Sequence, residues 1–182
     1  SATNPAGKQV NDPGGIFYTS SSGIWQTVWL EPVADSHITS LKMTPNIDAG
    51  QLELQVNTSD ASENLSVEVV VRAEGEEVVT LSGQLPNLPF QIAIPAQRLW
   101  SPFDPFLYDL EVRLMENGRS LDTIDSYFGM RKVSVEAVGG MKQVFLNNEP
   151  IFQRGVLDQG FWPDGLHTAP TDDALKWDLE TV

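Results

Sequence analysis

The sequence predicts an all-β protein: an immunoglobulin-like antiparallel β-sandwich flanked by pieces of two other folds. Three observations carry this. Apolar residues recur at every second position through the middle of the chain, turn residues cut that pattern into short runs, and the two ends follow neither rule.

The alternation is strict. Leu52, Leu54 and Val56 interleave with Gln51, Glu53 and Gln55, and Leu65, Val67, Val69, Val71 and Ala73 alternate with Ser66, Glu68, Arg72 and Glu74. Ile92 and Ile94 flank Ala93, and Tyr108, Leu110, Val112 and Leu114 alternate with Asp109, Glu111 and Arg113. Each run reads as a strand with one buried and one wet face. The runs are separated by Pro45-Asn46, Asn57-Thr58-Ser59-Asp60, Glu74-Gly75-Glu76, Pro86-Asn87 and Glu116-Asn117-Gly118. The last of these is a hairpin signal, because Asn and Gly accept the positive φ of a tight turn. About seven strands over roughly 100 residues is the size of an immunoglobulin-like sandwich. The chain has no cysteine, so this is the architecture without a disulfide. A second hairpin is expected over 132–146 around Gly139-Gly140, with Asn147-Asn148-Glu149-Pro150 as the turn after it.

The ends differ. Residues 1–15 are rich in Asn, Pro, Gly and Ser and read as a loop or mobile arm. Residues 24–30 read as a strand, with Trp25 and Trp29 on one face, packed into a domain interface rather than left as a sugar-stacking surface. Residues 151–159 read as another strand, followed by an aromatic loop at Phe161-Trp162-Pro163-Asp164-Gly165. Thr171 is placed to cap a helix whose first turn carries Asp172 and Asp173. One strand–loop–helix unit cannot bury both its apolar faces, so the chain is expected to stop inside a larger domain. The expected boundaries are 1–35, 36–137 and 138–182.

Composition narrows the function. The formal charge is −14, from 25 acids against 11 bases. Such a chain does not neutralise phosphates, which argues against nucleic acid and against an anionic membrane surface. The lack of cysteine excludes thiolate nucleophiles and zinc–thiolate sites. Zero cysteine is common in periplasmic and surface proteins but does not locate the chain; the localisation stays open, with a periplasmic or extracellular setting favoured over the cytoplasm. His37 and His167 have no metal-ligand spacing and read as loop-edge residues, so neither metal nor cofactor is expected. Asp122 and Asp125 are explained by solvation. One cluster stands out: Asp158, Gln159, Trp162 and Asp164, an aromatic with carboxylates and an amide just past the end of the expected terminal strand. If that strand opens a parallel barrel, these residues lie on its substrate face; otherwise they form a structural loop.

Four stretches resemble glycoside hydrolase family 2, the family of many bacterial β-galactosidases, β-glucuronidases and β-mannosidases. Residues 22–30, Ser-Gly-Ile-Trp-Gln-Thr-Val-Trp-Leu, resemble the last strand of its jelly-roll sugar-binding domain. Residues 99–108, with Trp100-Ser101-Pro102 and Leu107-Tyr108, resemble the W-S-P-x-x-P-x-L-Y stretch of its immunoglobulin-like domain. Phe128-Gly129-Met130-Arg131 resembles F-G-x-R. Residues 145–156 resemble F-L-N-G-x-P-x-x-x-R-G-V, the entry to its catalytic barrel.

The resemblance implies a jelly-roll remnant, a whole sandwich and the first β/α unit of a TIM barrel. It implies a retaining glycosidase as the parent, with a carbohydrate substrate. The two catalytic glutamates would lie on later barrel strands, so this fragment is expected to be inactive. Gln159 stands where β-galactosidases and β-glucuronidases carry the histidine of R-G-x-x-x-H. A stand-alone β-sandwich module that binds carbohydrate or a partner is the alternative.

Overall fold

A computed structural model describes residues 7–182. The chain divides into two units, Pro32–Gln153 and the pair of segments Ser1–Glu31 and Arg154–Val182. Two short strands open the chain, β1 (Gln9–Val10) and β2 (Tyr18–Thr19). The sandwich follows as β3 (Ile38–Asn46), β4 (Gln51–Thr58), β5 (Leu65–Ala73), β6 (Glu76–Gln84), β7 (Pro89–Ala93), β8 (Tyr108–Glu116) and β9 (Arg119–Phe128). A small sheet comes next, β10 (Val133–Val138), β11 (Met141–Leu146) and β12 (Glu149–Pro150), and the one described helix, α1 (Asp172–Thr181), comes last.

The seven sandwich strands form two antiparallel sheets, ordered β3-β4-β7 and β6-β5-β8-β9. The chain crosses between sheets after β4, β6 and β7, which gives the interleaved connectivity of an immunoglobulin-like fold. The period-two residues do what the alternation requires. Leu52, Leu54, Val56 and Ile92 meet Val67, Val69, Val71, Leu110, Val112 and Leu114 between the sheets, all fully buried. On the outer face of the larger sheet, Glu68 opposes Arg113 and Arg72 opposes Asp109. Arg113 Nη1 donates to Glu68 at 2.6 Å and its second nitrogen pairs with Glu111, which also takes Arg72 at 3.0 Å.

Turn chemistry matches the strand ends. Asn117 and Gly118 have φ of 51° and 78°, as a two-residue hairpin demands, and Gly139 and Gly140 do the same between β10 and β11. Asp122 has a structural role: its Oδ2 accepts from the backbone N of Ile38 at 2.8 Å, tying β9 to the start of β3 across the sheets.

One end of the sandwich gathers three of the stretches singled out in the sequence. The buried Tyr108 ring stacks on Phe128 at 5.2 Å, and its hydroxyl accepts from the backbone N of Arg98 at 2.7 Å. Arg98 grips Asp104 through Nε and Nη2 at 2.8 and 2.7 Å and reaches Glu74 at 3.0 Å, holding the loop between β7 and β8. Asp104 is held below its ordinary pKa of 3.8 by that guanidinium. Trp100 receives the Arg131 guanidinium over its ring at 5.0 Å. A Cβ at Gly129, the residue after β9, would come within 3.2 Å of Trp100 Cβ, so a side chain there would press on the indole. Asn147 then brackets β10: its Oδ1 accepts from Lys132 N at 3.0 Å, and its Nδ2 donates to Trp100 O at 2.9 Å. Asp48 completes the join, accepting from Lys132 Nζ at 2.6 Å and Asn148 Nδ2 at 2.8 Å, which lowers its pKa. Asn148 stands at φ 69° where the resembling motif has glycine. Its side chain turns a strained position into a hydrogen bond.

The other unit departs from the sequence expectation. Residues 24–30 and 151–159 form no strand. A strand exists only against a hydrogen-bonded neighbour, and no described residue supplies one along either stretch. Trp25 and Trp29 are therefore not packed in an interface among the described residues; they are 58% and 72% exposed. Of the expected N-terminal arm, residues 1–6 lie outside the described residues, while Gln9–Val10 pairs in parallel with Tyr18–Thr19. The helix forms as read: Thr171 caps it, accepting from Ala174 N at 3.1 Å.

Candidate functional site

The four residues singled out by sequence lie in the unit of Ser1–Glu31 and Arg154–Val182, and their side chains have separate tasks. Asp158 Oδ1 accepts from Gly160 N at 2.7 Å, an Asx turn that bends the chain before Phe161. Asp164 Oδ1 accepts from Gly165 N at 2.9 Å. Trp162 closes a tight loop with Leu166 through reciprocal backbone bonds of 2.7 and 3.2 Å. Gly165 sits inside that loop; a Cβ there would lie 2.0 Å from the carbonyl oxygen of Thr168, so only glycine fits. Gln159 reaches furthest: its Oε1 accepts from the Tyr18 hydroxyl at 2.6 Å and from Lys8 Nζ at 3.3 Å. With Oε1 satisfied twice, the Nε2 donors are the part of the amide left for a ligand.

The structure adds residues that the sequence reading passed over. His167 is half-buried rather than a free loop-edge residue. Its ring meets Phe161 edge-on at 5.5 Å and Trp25 at 6.2 Å, and one nitrogen lies 3.4 Å from Gln9 Nε2. Phe161 in turn stacks on Tyr18 at 4.4 Å. Gln9 is fixed from its other end, because its Oε1 accepts from Ser21 N and Ser21 Oγ at 2.9 and 3.1 Å. Thr168 Oγ1 donates to Trp25 O at 3.2 Å.

These contacts frame a 410 Å³ cleft. Its walls are residues 21–25 and 165–168, with Gln9 between them. None of Asp158, Gln159, Trp162 and Asp164 lines it. The only sequence signal for it was the pair of aromatic loops, since Gln9 and His167 are 158 residues apart. Among the described residues no group of His, Cys, Asp and Glu is arranged to hold a metal ion. The aromatic rings, amides and hydroxyls gathered here are the chemistry of sugar recognition: apolar faces for a ring, neutral donors and acceptors for hydroxyls.

A protein of Formosa agariphila assigned as a β-glucuronidase is 30% identical over 142 residues, 73% of this chain and 17% of the relative. The β-galactosidase of Lactobacillus delbrueckii subsp. bulgaricus is 28% identical over 168 residues, 88% of this chain and 16% of that enzyme. The chain thus spans about a sixth of the length of these relatives. Among solved structures, a Ruminococcus gnavus β-glucuronidase in complex with D-glucuronic acid superposes with a TM-score of 0.63 at 20% identity, over 80% of this chain and 24% of that one. That likeness establishes the fold. The family model described as glycosyl hydrolases family 2 matches residues 36–131, more than half of the chain and nearly the whole sandwich. On that match the chain belongs to glycosyl hydrolases family 2.

Proposed function

We propose that this chain is the non-catalytic accessory part of a retaining glycosidase that hydrolyses glycosidic bonds of carbohydrates. The observation that carries the reading is the family match on the sandwich, in a chain that spans 16–24% of the β-galactosidase relatives it resembles. On this reading residues 1–35 close a jelly-roll domain, 36–137 form the sandwich, and 138–182 open a barrel whose later strands bring the two glutamates that do the chemistry. Asp158, Gln159, Trp162 and Asp164 then face the substrate. Gln159 is the sharpest of them: Tyr18 and Lys8 orient its carbonyl, so its amide nitrogen points a fixed donor at a sugar hydroxyl.

The test uses the intact enzyme. Gln159→Ala is expected to lower kcat/KM about 5- to 150-fold, the cost of one unpaired hydroxyl in a closed site expressed as a rate ratio. Melting temperature should barely move, and Gln153→Ala should leave the kinetics nearly untouched. An intact protein that releases no nitrophenol from any nitrophenyl glycoside would overturn the glycosidase reading. Wild-type kinetics for Gln159→Ala would remove the residue from the substrate face.

A further inference from the structure

We infer that the cleft between residues 21–25 and 165–168 is a saccharide subsite that accepts an uncharged pyranose and rejects a uronate. The inference rests on the glycosidase reading and goes beyond it by naming a second set of residues and a selectivity. The argument is one of charge. The lining side chains that offer polar atoms are Gln9, Ser21, Ser22, Trp25, His167 and Thr168, and none of them is a carboxylate, ammonium or guanidinium. A carboxylate brought here meets no ammonium or guanidinium among the lining side chains, so it gains no charge-assisted hydrogen bond in return for the water it gives up. The chain's net charge of −14 adds a repulsive field.

A neutral sugar meets the opposite situation. Trp25 keeps 58% of its surface open and leans towards His167 at an interplanar angle of 52°, so an apolar sugar face has a ring to cover. Gln9 spends its amide on Ser21 and His167, which fixes the wall and holds the imidazole by one nitrogen. The other imidazole nitrogen, the Ser22 hydroxyl and the lone pairs of Thr168 Oγ1 remain for sugar hydroxyls. Thr168 is itself oriented by its bond to Trp25 O. The polar partners and the aromatic platform are thus mechanically linked.

The experiment is an amide-detected NMR titration of the isotopically labelled 182-residue chain. The neutral probes are methyl β-D-galactopyranoside and methyl β-D-glucopyranoside, and the anionic probe is methyl β-D-glucuronide. At least one neutral glycoside is expected to shift the amides of Ser22, Trp25, His167 and Thr168 with a Kd on the order of millimolar, as suits a ligand of this size. The glucuronide should bind at least about tenfold more weakly. Trp25→Ala should weaken the neutral ligand about three- to tenfold, while Trp29→Ala, whose ring does not line the cleft, should not. Unshifted amides of Gly160 and Ala174, which bond Asp158 and Thr171 in the same unit, establish that the variants keep the fold around the cleft. Neutral glycosides that leave the cleft amides unmoved, a glucuronide that binds as well, or an inert Trp25→Ala would each overturn the subsite. Any of these together with a slowed Gln159→Ala enzyme removes this cleft alone; an intact protein inactive on all glycosides removes the broader reading instead.

Discussion

The two units of this chain are built from similar proportions of apolar residues and end in opposite states. The sandwich of Pro32–Gln153 holds every fully buried hydrophobic side chain among the described residues. The other unit contains none, and it leaves Ile24, Trp29, Leu30, Leu157, Trp177 and Leu179 between 64% and 99% exposed. The difference is not hydrophobicity but pairing. In the sandwich each sheet has a second sheet against its apolar face, and every strand has at least one hydrogen-bonded neighbour. In the other unit the apolar residues sit on extended segments and on a helix with no buried residue. A sequence segment becomes core only when another surface is there to cover it.

Hydrogen exchange should expose the contrast most sharply. Amides of β5 and β8 are expected to exchange at least about a thousandfold more slowly than those of α1, since the former open only with the whole sandwich and the latter open locally. Slowest exchange in α1 would break the comparison. Truncation of buried side chains comes next. Leu110→Ala, 1% exposed in β8, should cost about 2–5 kcal/mol in denaturant unfolding, whereas Leu179→Ala, 81% exposed in α1, should stay within about 0.5 kcal/mol. Equal losses would mean that α1 is packed as the strands are.

Acid should have the smallest effect, and again on the sandwich. Asp48, Asp60 and Asp104 all belong to it, and all have pKa values lowered from 3.8, chiefly by the side-chain hydrogen bonds of Lys132, Ser36 and Arg98 respectively. A carboxylate with a depressed folded pKa contributes stability above its unfolded pKa and loses it as pH falls through the folded value. The sandwich should therefore lose melting temperature below about pH 4. Asp48→Asn should lower it by about 1–3 °C at neutral pH and converge on wild type in acid. A variant that parallels wild type at every pH would show that Asp48 contributes nothing through its charge.

The same contrast explains what could be read in advance. Strands β4, β5 and β8 were legible because one face is buried and one is wet, which writes period two into the residues. The edge strands β3 and β6 were harder to see, because β3 buries only Ile38 fully and includes Pro45, so its alternation is shallow. Tight turns were legible wherever Asn or Gly had to hold a positive φ. The helix start was legible from Thr171 and its two acids. The strands expected over 24–30 and 151–159 were misread, because local pattern records β propensity and not the presence of a neighbour. The candidate site was legible only as a loop composition. That Gln159 would meet Tyr18, 141 residues away, and that His167 would meet Gln9 are facts of tertiary structure with no local imprint.

The charge ladder on β5 and β8 has a consequence for how the sandwich reaches its fold. Val67, Val69 and Val71 on β5 face Leu114, Val112 and Leu110 on β8. Sliding β5 by two residues would keep Val67, Val69 and Val71 on the inner face, so their burial alone scarcely distinguishes the right alignment from the wrong one. The outer face does distinguish them in one direction. In the native alignment Glu68 opposes Arg113; after a two-residue slip one way Glu68 would oppose Glu111, setting two acids against each other, and Arg113 would be left facing Ser66. The solvent-facing charges thus proofread a pairing that the interchangeable valines beneath them would let pass.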